Sequence, residues 1–132
     1  MLQQVSPTVI GVLEILTGLG VIAFWVLFFA TDWMAPKNPP PGYLAHERSF
    51  VWPDSLMAVT LVAAGMMSLL KIPLGDSLSL ACSGALLFLG VIDLAYNYQN
   101  GLFRGKPGEV LPSLAINLWV AGFGLFLLFR FV

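Results

Sequence analysis

The chain has 132 residues, 58% of them hydrophobic and 10% charged, with a formal net charge of −1. A soluble domain carries about 25% charged residues, and one this small leaves much of its surface in water, so the composition excludes an ordinary soluble fold. The near-neutral balance, without any Lys/Arg run, also gives no basis for a nucleic-acid partner.

Four apolar runs are long enough to cross a bilayer. A hydrocarbon core of about 30 Å needs about 20 residues at a helical rise of about 1.5 Å each. The first run is 7–31, with Ser6 as its N-cap and Pro7 at the first helical position, where a missing N–H costs nothing. Residues 1–8 lack Lys and Arg, and the run is too long for the apolar part of a cleaved leader, so it reads as a true span. A first loop, 32–54, follows. It carries Pro36, Pro39, Pro40 and Pro41, which favour extended backbone, and then an aromatic segment suited to the headgroup level of a membrane.

The second run is 55–72, with Asp54 as its expected cap and Pro73 and Gly75 beyond its end. The third is 77–98, capped by Asp76 and broken by Asn100-Gly101. The fourth is 110–132, opening at Val110-Leu111-Pro112. Backbone polar groups in hydrocarbon must bond within their own segment, so the runs should be helices. None alternates as barrel strands would. The expected fold is an all-α membrane protein, a four-transmembrane-helix bundle with a long Pro- and aromatic-rich first loop. It forms a single transmembrane domain in the cell (inner or plasma) membrane.

An even number of spans puts both termini on one side, here called side A. The first and third loops then share side B. Side B holds Lys37, Arg48, Arg104 and Lys106, against Lys71 and Arg130 on side A. The positive-inside rule leans toward a cytoplasmic side B. Helices in lipid associate through small residues and hydrogen bonds. The expected contact positions are Gly11 and Gly18 on the first helix, and Ala63, Ala64 and Gly65 on the second. On the third they are Ser77, Ala81, Gly84 and Ala85, and on the fourth Ala115, Ala121, Gly122 and Gly124. Met57, Met66 and Met67 read as adaptable packing.

Ionisable and amide side chains at membrane depth need an explanation. Counted from the expected helix starts, Asp93, Asn117 and Thr60 lie level, about 7–9 Å inside side B. Asn97 is one turn from Asp93 on the same face, Gly90 shares that face, and Trp25 reaches a similar level. Asn117 shares an inward stripe with Ser113, Ala121 and Gly124. Above them the first loop brings His46, Glu47 and Arg48, and Arg48 is placed to pair with Asp93 or Glu47. Two readings stand side by side: a hydrogen-bond network that locks the bundle, or a ligand pocket lined by Asp93, Asn97, Asn117, Thr60, His46, Glu47 and Arg48. Glu14 lies about 10 Å inside side A, some 14 Å from Asp93 in depth, too far for a catalytic pair. It reads as a hydrogen-bonded carboxyl at a helix contact or as a proton-coupling group.

Other chemistry lacks a pattern. Cys82 is the only cysteine and His46 the only histidine. An internal disulfide and a Cys-rich metal site are excluded, and the spacing suggests no other metal site. No phosphate-binding Gly-rich loop or nucleophile elbow is present, and no cofactor is indicated.

The stretch Pro40-Pro41-Gly42-Tyr43-Leu44-Ala45-His46-Glu47-Arg48-Ser49-Phe50, then Pro53-Asp54, and the stretch from Asp93 to Gly101 resemble a set of small four-helix prokaryotic membrane proteins of unassigned function. That resemblance implies the bundle and no mechanism. Small multidrug resistance transporters also place a Glu in the first of four spans, as Glu14 is here. The long Pro-rich loop, the second acid Asp93 and the missing aromatic–glycine segment of the third helix depart from them. The leading expectation is a non-catalytic membrane protein that binds a lipid-like molecule, a lipid or quinone, or serves a larger membrane complex or homo-oligomer. The alternatives are a proton-coupled exporter using Glu14 and a lipid-modifying enzyme using His46, Glu47 and Asp93.

Overall fold

The computed structural model describes residues 2–31 and 36–132, and all of its long elements are helices. Helix α1 is Pro7–Ala30, α2 is Tyr43–Leu69, α3 is Leu74–Gln99 and α4 is Pro107–Phe131. Each is long and apolar enough to cross a membrane. The expected four-helix bundle is therefore the fold. The start of the first loop, Asp32 to Ala35, lies outside the described residues.

The ends of α1 are the ones expected. The Thr8 amide donates to Ser6 Oγ at 3.2 Å, and the hydroxyl and amide of Thr31 both close on the Leu27 carbonyl. The start of α2 is not. Residues 43–54 are helical, so the loop expected over 32–54 gives up its second half to the helix. Tyr43, Glu47, Phe50, Met57 and Leu61 are buried along one face, with half-buried Asp54 between Phe50 and Met57 completing a spacing of three and four, and this stripe extends the helix through Pro53. Asp54 therefore lies well inside α2 and caps nothing. Helix α3 starts three residues early, after Pro73, leaving Asp76 in its first turn, where a carboxylate suits the helix dipole. Helix α4 likewise starts at Pro107 and carries Pro112 inside it. The α2–α3 turn holds Lys71 at φ 57°, and Gly101 at φ 73° follows α3, a left-handed geometry that glycine adopts without steric cost.

The closest approach is between α1 and α2. A Cβ placed on Gly65 would sit 2.5 Å from the Gly11 carbonyl oxygen, and one on Gly18 would sit 2.7 Å from that of Ala58. On the other side, Gly90 abuts the Ala121 backbone and Gly124 abuts Leu87. Gly84 and Gly122 have open space around them, and Ser77, Ala81 and Ala115 are exposed. The small-residue face expected on α3 thus turns outward. The inward face is the one bearing Gly75, Ser79, Cys82, Ser83, Leu86, Gly90 and Asn97. Two small-residue stripes exist on α3, and burial of Leu86 selects between them. The core is Ile10, Met57, Leu61, Cys82, Leu86, Phe123 and Leu127.

Neighbours in sequence are neighbours in space: α1 packs on α2, α2 on α3 and α3 on α4. The ring does not close on its fourth side. Among the described residues, no Cα of α1 lies within 8 Å of a Cα of α4. Among the described residues one side-chain hydrogen bond bridges that gap, from Trp119 Nε1 to Thr17 Oγ1 at 3.1 Å. At side A the chain ends meet, with Gln3 Nε2 on the Phe129 carbonyl at 3.1 Å and Arg130 reaching the Val5 carbonyl.

Candidate functional site

Helix packing gathers five of the expected site residues at the side B end. Asn97 Nδ2 donates to Asn117 Oδ1 at 2.9 Å, and Asn117 Nδ2 donates to Asp93 Oδ2 at 2.6 Å. This chain links α3 to α4 and fixes one oxygen of Asp93. The other oxygen, Oδ1, faces α2, where His46 Nε2 lies 3.6 Å away. The imidazole is sandwiched into place. Tyr96 stacks on it with ring centroids 3.5 Å apart and planes 9° apart, and Phe50 lies tilted at 4.9 Å. Glu47, 8% exposed, completes the group. One ligand atom from each of His46, Glu47 and Asp93 lies within 4.8 Å of the others.

A third acid stands beside them. Trp25 Nε1 of α1 donates to Asp54 Oδ2 at 3.0 Å, and both Asp54 and Asp93 are close enough to Glu47 for their charges to interact. Among the described residues, no Lys or Arg forms an ion pair with this group.

Two cavities meet here. One, of about 560 Å³, fills the gap between α1 and α4 and is walled by Leu13, Leu16, Val21, Leu89 and Val120, with Gly20 on its α1 side. The other, of about 580 Å³, opens toward side B past Lys37, Asn38, Asn97, Ser113 and Glu109. Glu47, Asp93 and Asn117 line both, as do Phe24 and Ile116. The carboxylates therefore stand at the junction of an apolar cleft and a polar vestibule.

Two expected members stay outside. The Thr60 hydroxyl bonds its own helix, to the Leu56 carbonyl at 2.8 Å. The reason is the start of α2: Thr60 is 13 residues beyond Glu47, about 20 Å along the axis. Arg48 is exposed and pairs with neither Asp93 nor Glu47. Once 43–54 is helical, the residue next to Glu47 is turned about 100° away from it.

Glu14 lies elsewhere. It is fully buried, accepts a hydrogen bond from Ser79 Oγ at 2.8 Å, and its second oxygen has no partner. It lines neither cavity. Ser79 and Asp93 are 14 residues apart on α3, so the two acids are separated by about 21 Å along the bundle. They are not a pair, in line with the depth count.

Asp54 and Tyr96 belong to the site but are not among the residues expected from the sequence. Asp54 has the look of a helix cap, but the spacing 43, 47, 50, 54, 57 puts it on the buried face. The stacking of Tyr96 on His46 depends on contact between α2 and α3 and has no signal in one sequence. Chain spacing does not reveal the group of His46, Glu47 and Asp93, because Asp93 comes from another helix. Comparison of the chain with models of known families, with curated proteins and with solved structures finds no match.

Proposed function

We propose that the protein binds a single-chain amphiphile drawn from the bilayer, its apolar chain in the α1–α4 cleft and its polar head in the side B vestibule. One observation carries this reading: an apolar cavity on the unclosed side of the bundle runs into a polar one at Glu47, Asp93 and Asn117. Each volume falls in the range of about 300–1,000 Å³ usual for small-ligand sites. A water-soluble ligand would gain nothing from the cleft, and a wholly apolar one would leave the buried carboxylates unanswered. Glu14 lines neither cavity, so the proton-coupled exporter has no support from its position.

The test uses Gly20. It opens on the cleft, and a Cβ there meets nothing within 4 Å. Gly20→Phe should fill the cleft without disturbing the bundle. Mass spectrometry of wild-type protein purified in mild detergent should show a retained amphiphile, and the Gly20→Phe protein should retain at least tenfold less. Equal retention, or none in either, overturns the reading.

A second reading is favoured by the convergence of His46, Glu47 and Asp93: an enzyme that acts on the bound lipid with these groups. Turnover that survives substitution of all three would remove it.

A further inference from the structure

We infer that His46, Glu47 and Asp93 form a binding site for one divalent first-row transition-metal ion at the junction of the two cavities. The inference does not rest on amphiphile binding. It starts from polar atoms that have no partner. His46 Nε2 is buried and accepts no hydrogen bond. Its nearest polar neighbour, Asp93 Oδ1 at 3.6 Å, is beyond the range of about 2.7–3.2 Å for such a bond. The same separation suits two ligands of a single ion. With metal–ligand bonds of about 2.0–2.2 Å, tetrahedral ligands lie about 3.4 Å apart. Glu47 is more than nine-tenths buried, lines both cavities and makes no hydrogen bond among the described residues.

The surroundings fit the same use. Metal ligands are held by outer partners that fix their orientation. Here the Asn97–Asn117 chain holds the far oxygen of Asp93, and Tyr96 clamps the imidazole plane. Charge is satisfied as well. Two carboxylates and a neutral imidazole around a divalent ion sum to zero, whereas two unpaired carboxylates at this depth would be costly. One nitrogen and two oxygens suit Zn²⁺, Fe²⁺ or Mn²⁺ better than a soft ion. Three protein ligands leave a further coordination position, the arrangement of sites that keep a place for water or substrate. Glu47 and Asp93 border both cavities, so that position faces the junction.

The experiment is metal binding by the full chain in detergent after removal of metals by a chelator. Zn²⁺ titration should saturate at one ion per chain, and Co²⁺ should give the visible absorption of a low-coordinate site containing one nitrogen. Glu47→Gln is the main variant, because among the described residues Glu47 makes no hydrogen bond whose loss would unfold the bundle. Glu47→Gln and His46→Ala should abolish saturable uptake. Asn117→Ala should weaken it about 10–100-fold, the usual effect of losing an outer partner. Glu14→Gln, at the far end of the bundle and outside both cavities, should leave it intact. No saturable uptake by wild-type protein would overturn the site and leave only the His46–Asp93 contact in its place. Uptake equal in wild type and Glu47→Gln would overturn it too. Amphiphile retention by the metal-free protein is a separate measurement, so either inference can fail without the other.

Discussion

The two ends of this bundle treat a buried acid in opposite ways. At side A, Glu14 is sealed between helices, with one hydrogen bond from Ser79 and a place in neither of the two cavities. At side B, Asp93 stands among Glu47, His46 and Asp54, held by Asn117 and open to two cavities. The difference follows from how closely the backbones approach. Near Glu14, α1 and α2 meet at Gly11 and Gly65 with no room for a side chain between them. Toward side B, α1 stands away from α4 and carries Gly20, Val21, Phe24 and Trp25 along the cleft. A carboxyl in a sealed contact can act only as a packing and hydrogen-bonding group. A carboxyl at the wall of a cavity is available to a ligand.

The strongest test of this contrast compares a glycine of the sealed α1–α2 contact with one that faces the cleft. Gly65→Ala places a methyl group 2.5 Å from the Gly11 carbonyl oxygen, so the helices must separate. Overpacking of this kind costs about 1–3 kcal/mol. Gly20→Ala meets open space and should be neutral, or stabilising by up to about 1 kcal/mol through helix propensity. Unfolding in mixed micelles of rising SDS content should separate the two variants clearly. Equal stability would mean that the α1–α2 contact is not tight at side A.

The same contrast shows what the sequence could and could not reveal. Four spans were legible because each is a long apolar run bounded by Pro, Gly or a cap, and the common level of Asp93 and Asn117 was legible because helical rise converts residue number into depth. The start of α2 was not, because Pro53-Asp54 has the appearance of a helix start. Only the buried face through Tyr43, Glu47 and Phe50 shows that the helix continues. Thr60 and Arg48 were misplaced for that one reason. The orientation of α3 was hidden by its two small-residue stripes, one containing Ser77 and Gly84, the other Ser79 and Gly90. The cleft has no sequence signal, since it is defined by two helices that fail to meet.

A smaller effect is expected at the sealed acid. Glu14→Gln keeps an oxygen acceptor for Ser79 and adds an amide that has no partner of its own, because the second Glu14 oxygen already lacks one. The loss should stay within about 1 kcal/mol, the scale of one intramolecular hydrogen bond. Zn²⁺ uptake and amphiphile retention should not change. A change in either would link the two ends of the bundle and break the contrast drawn between them.

The smallest expected effect concerns the one strut across the open side. Trp119→Phe removes the hydrogen bond to Thr17 Oγ1 while keeping a ring beside Phe123, on which Trp119 stacks at 5.2 Å. Interhelical hydrogen bonds in membranes average about 0.6 kcal/mol, so the SDS midpoint should move little. Exchange of a bound amphiphile should respond more than stability does. Trp119 and Thr17 both line the cleft, and without their bond nothing polar ties α1 to α4 there among the described residues. Release of a retained amphiphile into empty micelles should therefore be faster in Trp119→Phe than in wild type. An unchanged release rate together with unchanged stability would show that the ligand does not leave between α1 and α4, and would direct attention to the vestibule as its route.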